Sequence, residues 1–294
     1  MQLTQVVVVR LATGATALAS ESGAVERGAG IAVYNNAFLI IMVPHSIITV
    51  SLATALLPNL SRTAAAQRAE EVRAQVLSGV RTALAIIIPF AGLLLALAGP
   101  ISRLLFGYGA ASEDTDLVAV TLAAFLPGLV GFTSTYLLQR AFYAAEDTRT
   151  PFVVQLVVSG VQVALSLAIV PRVNPVLVSA ALAAAWSVAV LIGALTALVL
   201  TRRRFGPVHA GSLALFVLLV VVAALPGSLA ALWLVLRFPE IALTSAVGAL
   251  LVAAVGTVVA ATSYVVLAWA FRVAPVRDGL RQARALLAAR LGRR

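Results

Sequence analysis

The chain is built from long apolar blocks separated by short polar breaks. Eight blocks of seventeen or more residues lie at about residues 3–19, 31–57, 77–98, 117–138, 152–171, 175–200, 211–236 and 241–271. Each is about long enough to cross the roughly 30 Å hydrocarbon core of a bilayer as a helix. The blocks lack the strict apolar and polar alternation of a membrane β-barrel. The pattern therefore predicts an all-α, polytopic membrane helical bundle with eight transmembrane helices.

Composition favours the same class of protein and excludes several functions. Hydrophobic residues make up 62% of the 294 positions and charged residues 11%, whereas soluble domains average about 45–50% and 25%. The chain has no cysteine, which excludes disulfides and thiolate metal sites. It also lacks a phosphate-binding P-loop, a zinc-binding histidine pair and a Ser/His/Asp arrangement. The residues therefore give no support for an ATPase or a hydrolase, and we expect no cofactor and no metal.

Arginine is the sole basic residue type apart from histidine, and its distribution predicts the orientation. Sixteen of the 21 arginines lie in the breaks after the even-numbered blocks or in the C-terminal tail, and four lie on the opposite side, at Arg27, Arg103, Arg172 and Arg237. Because arginine is enriched in cytoplasmic loops, both termini are predicted to be cytoplasmic, in a bacterial plasma membrane. The net charge of +10 does not indicate nucleic-acid binding, since no basic and aromatic stacking surface accompanies it.

Residues 273–294 form a basic tail with a narrow apolar stripe. The stripe consists of Leu280, Leu287 and Leu291, and the flanking arginines are Arg277, Arg281, Arg284 and Arg290. One interpretation is an amphipathic helix that lies on the anionic inner leaflet. The other is a solvated basic tail that only enforces the orientation of the chain in the membrane.

Polar side chains within the apolar blocks are candidates for a substrate cavity, because each is costly in lipid unless it has a partner or faces water. In the fifth block the candidates share one helical face and are Gln155, Ser159, Gln162 and Ser166. They are interpreted either as a cavity wall or as interhelical hydrogen-bonding groups. In the second block Asn35, Ser46 and Thr49 are predicted to share a face, with Asn36 and His45 beside it. His45 is either a proton-coupling group or a neutral hydrogen-bonding residue.

Arg10 lies inside the first predicted block. An arginine at mid-membrane costs roughly 2.5–3.5 kcal/mol on insertion scales. Arg10 is therefore expected either to extend to the cytoplasmic interface or to face an anionic ligand. No Asp or Glu lies within any block, so the blocks offer no carboxylate for coupling to a cation or proton.

Two stretches resemble sequence motifs of the MurJ (MviN) family. Residues 51–62, SLATALLPNLSR, resemble its LP-x-LS-R element through Pro58, Ser61 and Arg62. Residues 138–151, LQRAFYAAEDTRTP, are similar to its R-x-F-Y-A-x-x-D-T-x-T-P signature; the signature residues are Arg140, Tyr143, Asp147, Thr148, Thr150 and Pro151. Thr150 and Pro151 are also predicted to be the N-cap and first residue of the fifth helix. The Pro-His-Ser run at 44–46 looks like the actinobacterial branch.

The resemblance implies a fourteen-span lipid II flippase of the multidrug/oligosaccharidyl-lipid/polysaccharide (MOP) exporter superfamily, which includes the MATE transporters. Residues 1–200 would be the second six-helix lobe, residues 201–272 two helices lining a groove for the lipid tail, and residues 273–294 the cytoplasmic tail. The partners implied are lipid II, membrane lipids, cell-wall synthesis proteins and, if the chain is a fragment rather than a half-length protein, the N-terminal lobe. The half alone is expected to be inactive. Alternatives are an exporter of another polyprenyl-linked saccharide or drug, and a non-transporting membrane scaffold.

Overall fold

The computed structural model describes residues 2–21, 30–108, 114–271, 273 and 275–277. Within these ranges all regular structure is helical, which confirms the predicted all-α bundle. The helices are α1 (Gln2–Glu21), α2 (Ile31–Pro44), α3 (Ser51–Ala65), α4 (Ala69–Ala96), α5 (Ala98–Phe106), α6 (Thr115–Ala144), α7 (Arg149–Ile169), α8 (Val178–Phe205), α9 (Ala210–Arg237), α10 (Pro239–Thr244) and α11 (Ala246–Ala270). The apolar stripe proposed for the tail lies outside the described residues.

Among the described residues, seven helical segments are long and apolar enough to cross a membrane. They are Ile31–Ala65, Ala69–Ala96, Thr115–Ala144, Arg149–Arg172, Pro175–Phe205, Ala210–Arg237 and Val247–Ala270. The first predicted block corresponds to α1, a helix of 20 residues that is not among the seven. The total of eight spans therefore stays a prediction.

The second predicted block continues well beyond its expected end. A π-helical stretch, His45–Val50, joins α2 to α3, and the helix runs to Ala65 although Pro58 lies inside it. Leu60 is fully buried and Thr63 nearly so, because both pack near the start of α4. Tertiary packing here outweighs the helix-ending tendency of proline.

Two other predicted blocks differ from the helices at their ends or within them. The third, predicted at 77–98, begins earlier, at Ala69, and a break at Leu97 separates α4 from α5. The last, predicted at 241–271, breaks between α10 and α11 at Ser245, which has an extended backbone (φ −133°, ψ 147°). Its Oγ accepts a hydrogen bond from the N–H of Gly248 at 3.0 Å, the N-cap geometry that begins a new helix.

Helices α6 and α8 form the centre of the bundle, and α2, α4 and α7 pack around them. Glycines allow the central pair to approach closely: a Cβ on Gly131 would lie 2.8 Å from the backbone nitrogen of Leu191. Small residues at an interface let two membrane helices pack backbone to backbone. The apolar stretches of α4 and α8 are accordingly 61% buried, against 22% for α7, α9 and α11.

Helices α9 and α11 form a second, peripheral pair against α4. Their contact also uses small residues, since a Cβ on Gly227 would lie 2.7 Å from the Cα of Ala260. A Cβ on Gly92 of α4 would lie 2.6 Å from the Oγ of Ser228 on α9. The peripheral pair is thus fixed closely to the rest of the bundle at these points.

The turns α3–α4, α6–α7 and α8–α9 lie at one end of the bundle. Arg73 of α4 donates a hydrogen bond to the carbonyl oxygen of Phe205, the last residue of α8. Since most of the arginines outside the tail lie in these turns or in the helix ends beside them, we call this end the arginine-rich end.

Candidate functional site

An apolar groove runs between α4, α9 and α11. It has a volume of about 450 Å³ and is lined by side chains that include Ile86, Phe90, Leu93, Ala224 and Ala261. Its few polar groups are largely satisfied within their own helices, a common arrangement for hydroxyls in membrane helices. The Oγ1 atoms of Thr82 and Thr257, for example, donate to the carbonyls of Ser78 and Ala253. The groove therefore presents an apolar surface suited to a hydrocarbon chain.

A proline and a tyrosine together form part of the groove wall. Pro89 of α4 has no N–H, so the carbonyl of Ala85, four residues earlier, loses its helical hydrogen bond. The Tyr264 hydroxyl of α11 donates to that carbonyl. This contact attaches α11 to α4 at the proline and leaves both residues lining the groove.

A second site, which is polar, lies between the π-helical stretch and α6. The His45 ring packs on Phe132, with ring centroids 4.2 Å apart, and lies edge-on to Tyr136 at 5.2 Å. The guanidinium of Arg140 stacks over the Tyr136 ring, 4.1 Å from the ring centroid. We call His45, Phe132, Tyr136 and Arg140 the tyrosine cleft. It joins a cavity candidate, His45, to a signature residue, Arg140.

The structure divides the face predicted for the second block. Asn35 and Ser46 are exposed and Asn36 is half-buried. Thr49 is instead fully buried, and its Oγ1 lies 3.2 Å from that of Thr133 on α6. The predicted common face assumed α-helical spacing, which the π-helical stretch changes. Thr49 thus contributes an interhelical hydrogen bond.

The fifth-block candidates follow one side of α7, which packs on α8 and α1. Gln162 and Ser166 are buried, whereas Gln155 and Ser159 are half-buried. This placement is compatible with both interpretations given above. Arg10 is exposed on α1 and makes no ion pair with any residue that the structure describes.

The second signature stretch forms the turn into α7. The Asp147 carboxylate accepts hydrogen bonds from the N–H groups of Arg149 and Thr150, both at 3.0 Å, and from the Thr150 hydroxyl at 2.6 Å. The helix begins at Arg149, with Thr148 as its N-cap residue, so the prediction that Thr150 is the N-cap was wrong. Asp147 satisfies the free N–H groups of the first turn, and Pro151 lies buried as the third helical residue.

Asp147 is held in its charged form by these contacts. Partial burial raises its pKa, but the hydrogen bonds from Thr150 and Arg149 and the nearby charge of Arg204 together lower the pKa below the ordinary value. The signature Asp-Thr-x-Thr-Pro thus has a structural role at this turn.

The two signature stretches meet at the arginine-rich end. Ser61 of the first and Tyr143 of the second line one pocket of about 520 Å³, together with Glu146 and Arg204. Pro58 and Arg62 are exposed nearby on α3. The pocket is more polar than the groove. Nowhere in the described ranges do three His, Asp or Glu side chains lie close enough to hold a metal ion.

Sequence reasoning missed three aromatic residues of these sites. Phe132 and Tyr136 precede Arg140 by eight and four residues, a spacing that places all three on one side of α6, and this signal was available. Tyr264 contacts a carbonyl 179 residues away. No local pattern indicates that contact.

The helices and groove define a polytopic α-helical membrane protein whose peripheral helix pair forms an apolar groove with the main bundle. A family model described as lipid II flippase MurJ matches residues 1–271. The chain therefore belongs to the MurJ family.

Individual relatives match shorter parts of the chain. A probable lipid II flippase MurJ of Rhizobium meliloti is 32% identical over 157 residues, which are 53% of this chain and 29% of the relative. The lipid II flippase MurJ of Burkholderia cenocepacia is 35% identical over 109 residues, 37% of this chain and 21% of the relative. The matched segments thus span less than a third of either relative.

A solved structure supports the fold over nearly the whole chain. It is a lipid II flippase MurJ in an inward closed conformation, with a TM-score of 0.68 and 21% identity. The match covers 95% of this chain and 52% of the solved one. The chain therefore spans about half the length of that flippase.

Proposed function

We propose that the chain forms the second half of a lipid II flippase, which moves the undecaprenyl-pyrophosphate-linked peptidoglycan precursor outward across the cytoplasmic membrane. The observation that carries the proposal is the family match over residues 1–271, which includes all three helices of the apolar groove. The relatives from Rhizobium and Burkholderia are named for the same substrate.

The proposed substrate has two parts that need different surroundings. Its polyprenyl tail is hydrocarbon, and the groove between α4, α9 and α11 offers about 450 Å³ of apolar space for part of it. Its pyrophosphate and sugar-peptide headgroup needs a polar path, because a charged group at the bilayer centre is costly. In this proposal two exposed polar residues, Asn35 of α2 and Ser46 of the π-helical stretch, face that path.

The domain assignments follow as part of the proposal. Residues 1–200 form the second six-helix lobe, residues 201–272 include the groove helices α9 and α11, and residues 273–294 are the cytoplasmic tail. The arginine-rich end faces the cytoplasm, in agreement with the bias of arginine toward that side. The first lobe and cell-wall synthesis proteins are the proposed partners. Translocation itself makes and breaks no covalent bond.

Rescue of a bacterial strain depleted of its own lipid II flippase tests the proposal. The chain is expressed joined to the six-span first lobe of the Rhizobium relative, and lipid II at the outer surface is labelled. We expect the joined protein to restore externalisation and the chain alone to fail. Rescue of an O-antigen or capsule flippase mutant, without rescue of lipid II externalisation, would favour another polyprenyl-linked saccharide. A folded, membrane-inserted protein that rescues neither would favour a scaffold.

A further inference from the structure

The tyrosine cleft contains two buried polar atoms that the described residues leave without a hydrogen-bond partner. These are Nδ1 of His45 and Nε of Arg140, and both side chains contact the ring of Tyr136. The His45 residue is only 5% exposed. Native proteins satisfy most buried polar groups, so each exception calls for an explanation. Two exceptions on one ring indicate a site for a polar ligand.

The cleft also has positive charge that no carboxylate of the described residues neutralises. The described ion pairs join Arg68 to Glu71 and Arg73 to Glu70, so Arg140 pairs with no described acidic residue. Its guanidinium is held by Tyr136 at 4.1 Å and approached by Tyr143 at 5.7 Å. Stacking engages the face of the guanidinium and leaves its terminal N–H groups, which are not enclosed as Nε is, to meet the oxygen atoms of a phosphate in a planar fork.

The backbone that carries His45 is irregular. His45 begins the π-helical stretch directly after Pro44. Such stretches occur frequently at functional sites, where they redirect side chains. Here the irregular turn places the imidazole between Phe132 and Tyr136 of α6.

The cleft lies near the arginine-rich end rather than in the apolar groove. Arg140 is four residues before the last residue of α6, Ala144. The groove is lined instead by α4, α9 and α11 and by Pro275 and Val276. An anionic group bound at Arg140 would therefore lie close to the level of the lipid headgroups on that side.

We propose that the tyrosine cleft binds the phosphate groups of a prenyl-linked substrate as it enters from the arginine-rich end. Arg140 binds the phosphate oxygens, Tyr136 orients the guanidinium, and His45 supports the Tyr136 ring from its edge. This inference rests on the proposed function, because it names a loading contact for that substrate.

Calorimetric titration of the purified 294-residue chain in detergent tests the proposal, with farnesyl pyrophosphate as the probe. We expect Arg140→Gln and Tyr136→Leu to weaken binding about tenfold, the equivalent of about 1.4 kcal/mol. Tyr136→Phe keeps the ring and should bind as the wild type does. Arg140→Lys keeps the charge but loses the planar fork of donors, so its affinity should lie between those of the wild type and Arg140→Gln.

Matched controls separate the cleft from general electrostatic attraction. Arg203→Gln removes one charge from an exposed residue at the same end and should leave the affinity unchanged. Farnesol, which lacks phosphate, should not bind the cleft, and inorganic pyrophosphate should bind more weakly than the prenyl ester. Thermal unfolding of each variant identifies any that are misfolded, and Tyr136→Phe and Arg140→Lys serve if the larger changes unfold the chain.

Three results would overturn the inference. They are no binding by the wild-type chain, equal weakening by Arg140→Gln and Arg203→Gln, and equal affinity for inorganic and prenyl pyrophosphate. The rescue experiment remains independent. If the joined protein rescues the strain but the cleft binds no probe, the proposed function stands and the loading contact is wrong. If the cleft binds the probe but the joined protein does not rescue the strain, the proposed function is wrong and the cleft remains a prenyl-phosphate site.

Discussion

Replacing Tyr264 with phenylalanine removes one hydroxyl from the junction between α4 and α11. In the wild type this hydroxyl donates to the carbonyl of Ala85, which Pro89 deprives of its helical partner. Tyr264 is 9% exposed, and phenylalanine keeps its packing. The variant therefore leaves one buried acceptor without a donor.

The expected loss is about 1.5 kcal/mol. Interhelical hydrogen bonds in membrane proteins average about 0.6 kcal/mol with a maximum near 1.7, and an unsatisfied buried group costs about 1–3 kcal/mol. The value should lie near the upper end of the membrane range, because Pro89 removes the alternative donor. Unfolding in mixed micelles at increasing SDS concentration measures the difference.

A double-mutant cycle isolates the cause. Pro89→Ala restores a backbone N–H that can donate to the Ala85 carbonyl. In that background Tyr264→Phe should cost much less than in the wild type. Equal losses in both backgrounds would refute the reasoning, since the hydroxyl would then not compensate for the proline.

Further predictions concern the central helix pair and the turn into α7. Gly131→Ala should cost about 1–3 kcal/mol, because its Cβ would meet the backbone of Leu191 at 2.8 Å, whereas Gly160→Ala meets nothing within 4 Å and should be neutral or stabilising in the same unfolding assay. Asp147→Ala should cost about 1 kcal/mol at pH 7 through loss of the cap. The folded pKa of Asp147 lies below the ordinary 3.8, so this difference should be complete above about pH 5 and should shrink as the pH falls through the folded pKa. A pH-independent difference would contradict it.

The apolar blocks were predictable because the bilayer imposes length and hydrophobicity on a spanning helix. The block predicted at 211–236 matches α9, Ala210–Arg237, within one residue at each end. Helix extensions beyond the blocks were not predictable from the same signal. The extension of α3 to Ala65 depends on packing of Leu60, which only the folded chain provides.

The candidate sites were predictable as residue types but not as an arrangement. His45 and Arg140 were each singled out, one as a polar residue in lipid and one through a motif. Tyr136, which contacts both, was not, because an aromatic residue in an apolar helix is unremarkable by composition. Thr49 was assigned to the same face as Asn35 and Ser46 because α-helical spacing was assumed across a π-helical stretch.

The groove makes the central claim testable in one measurement, lipid II translocation in vesicles containing the chain joined to a first lobe. Ala261→Trp places an indole in the groove lining, whereas Ala254→Trp places the same side chain at an exposed position of α11 that does not line it. The proposed function predicts that translocation of fluorescent lipid II is lost with Ala261→Trp and kept with Ala254→Trp. Equal translocation by both variants, with both folded and inserted, would contradict the assignment of this chain as the lipid-binding half of a flippase.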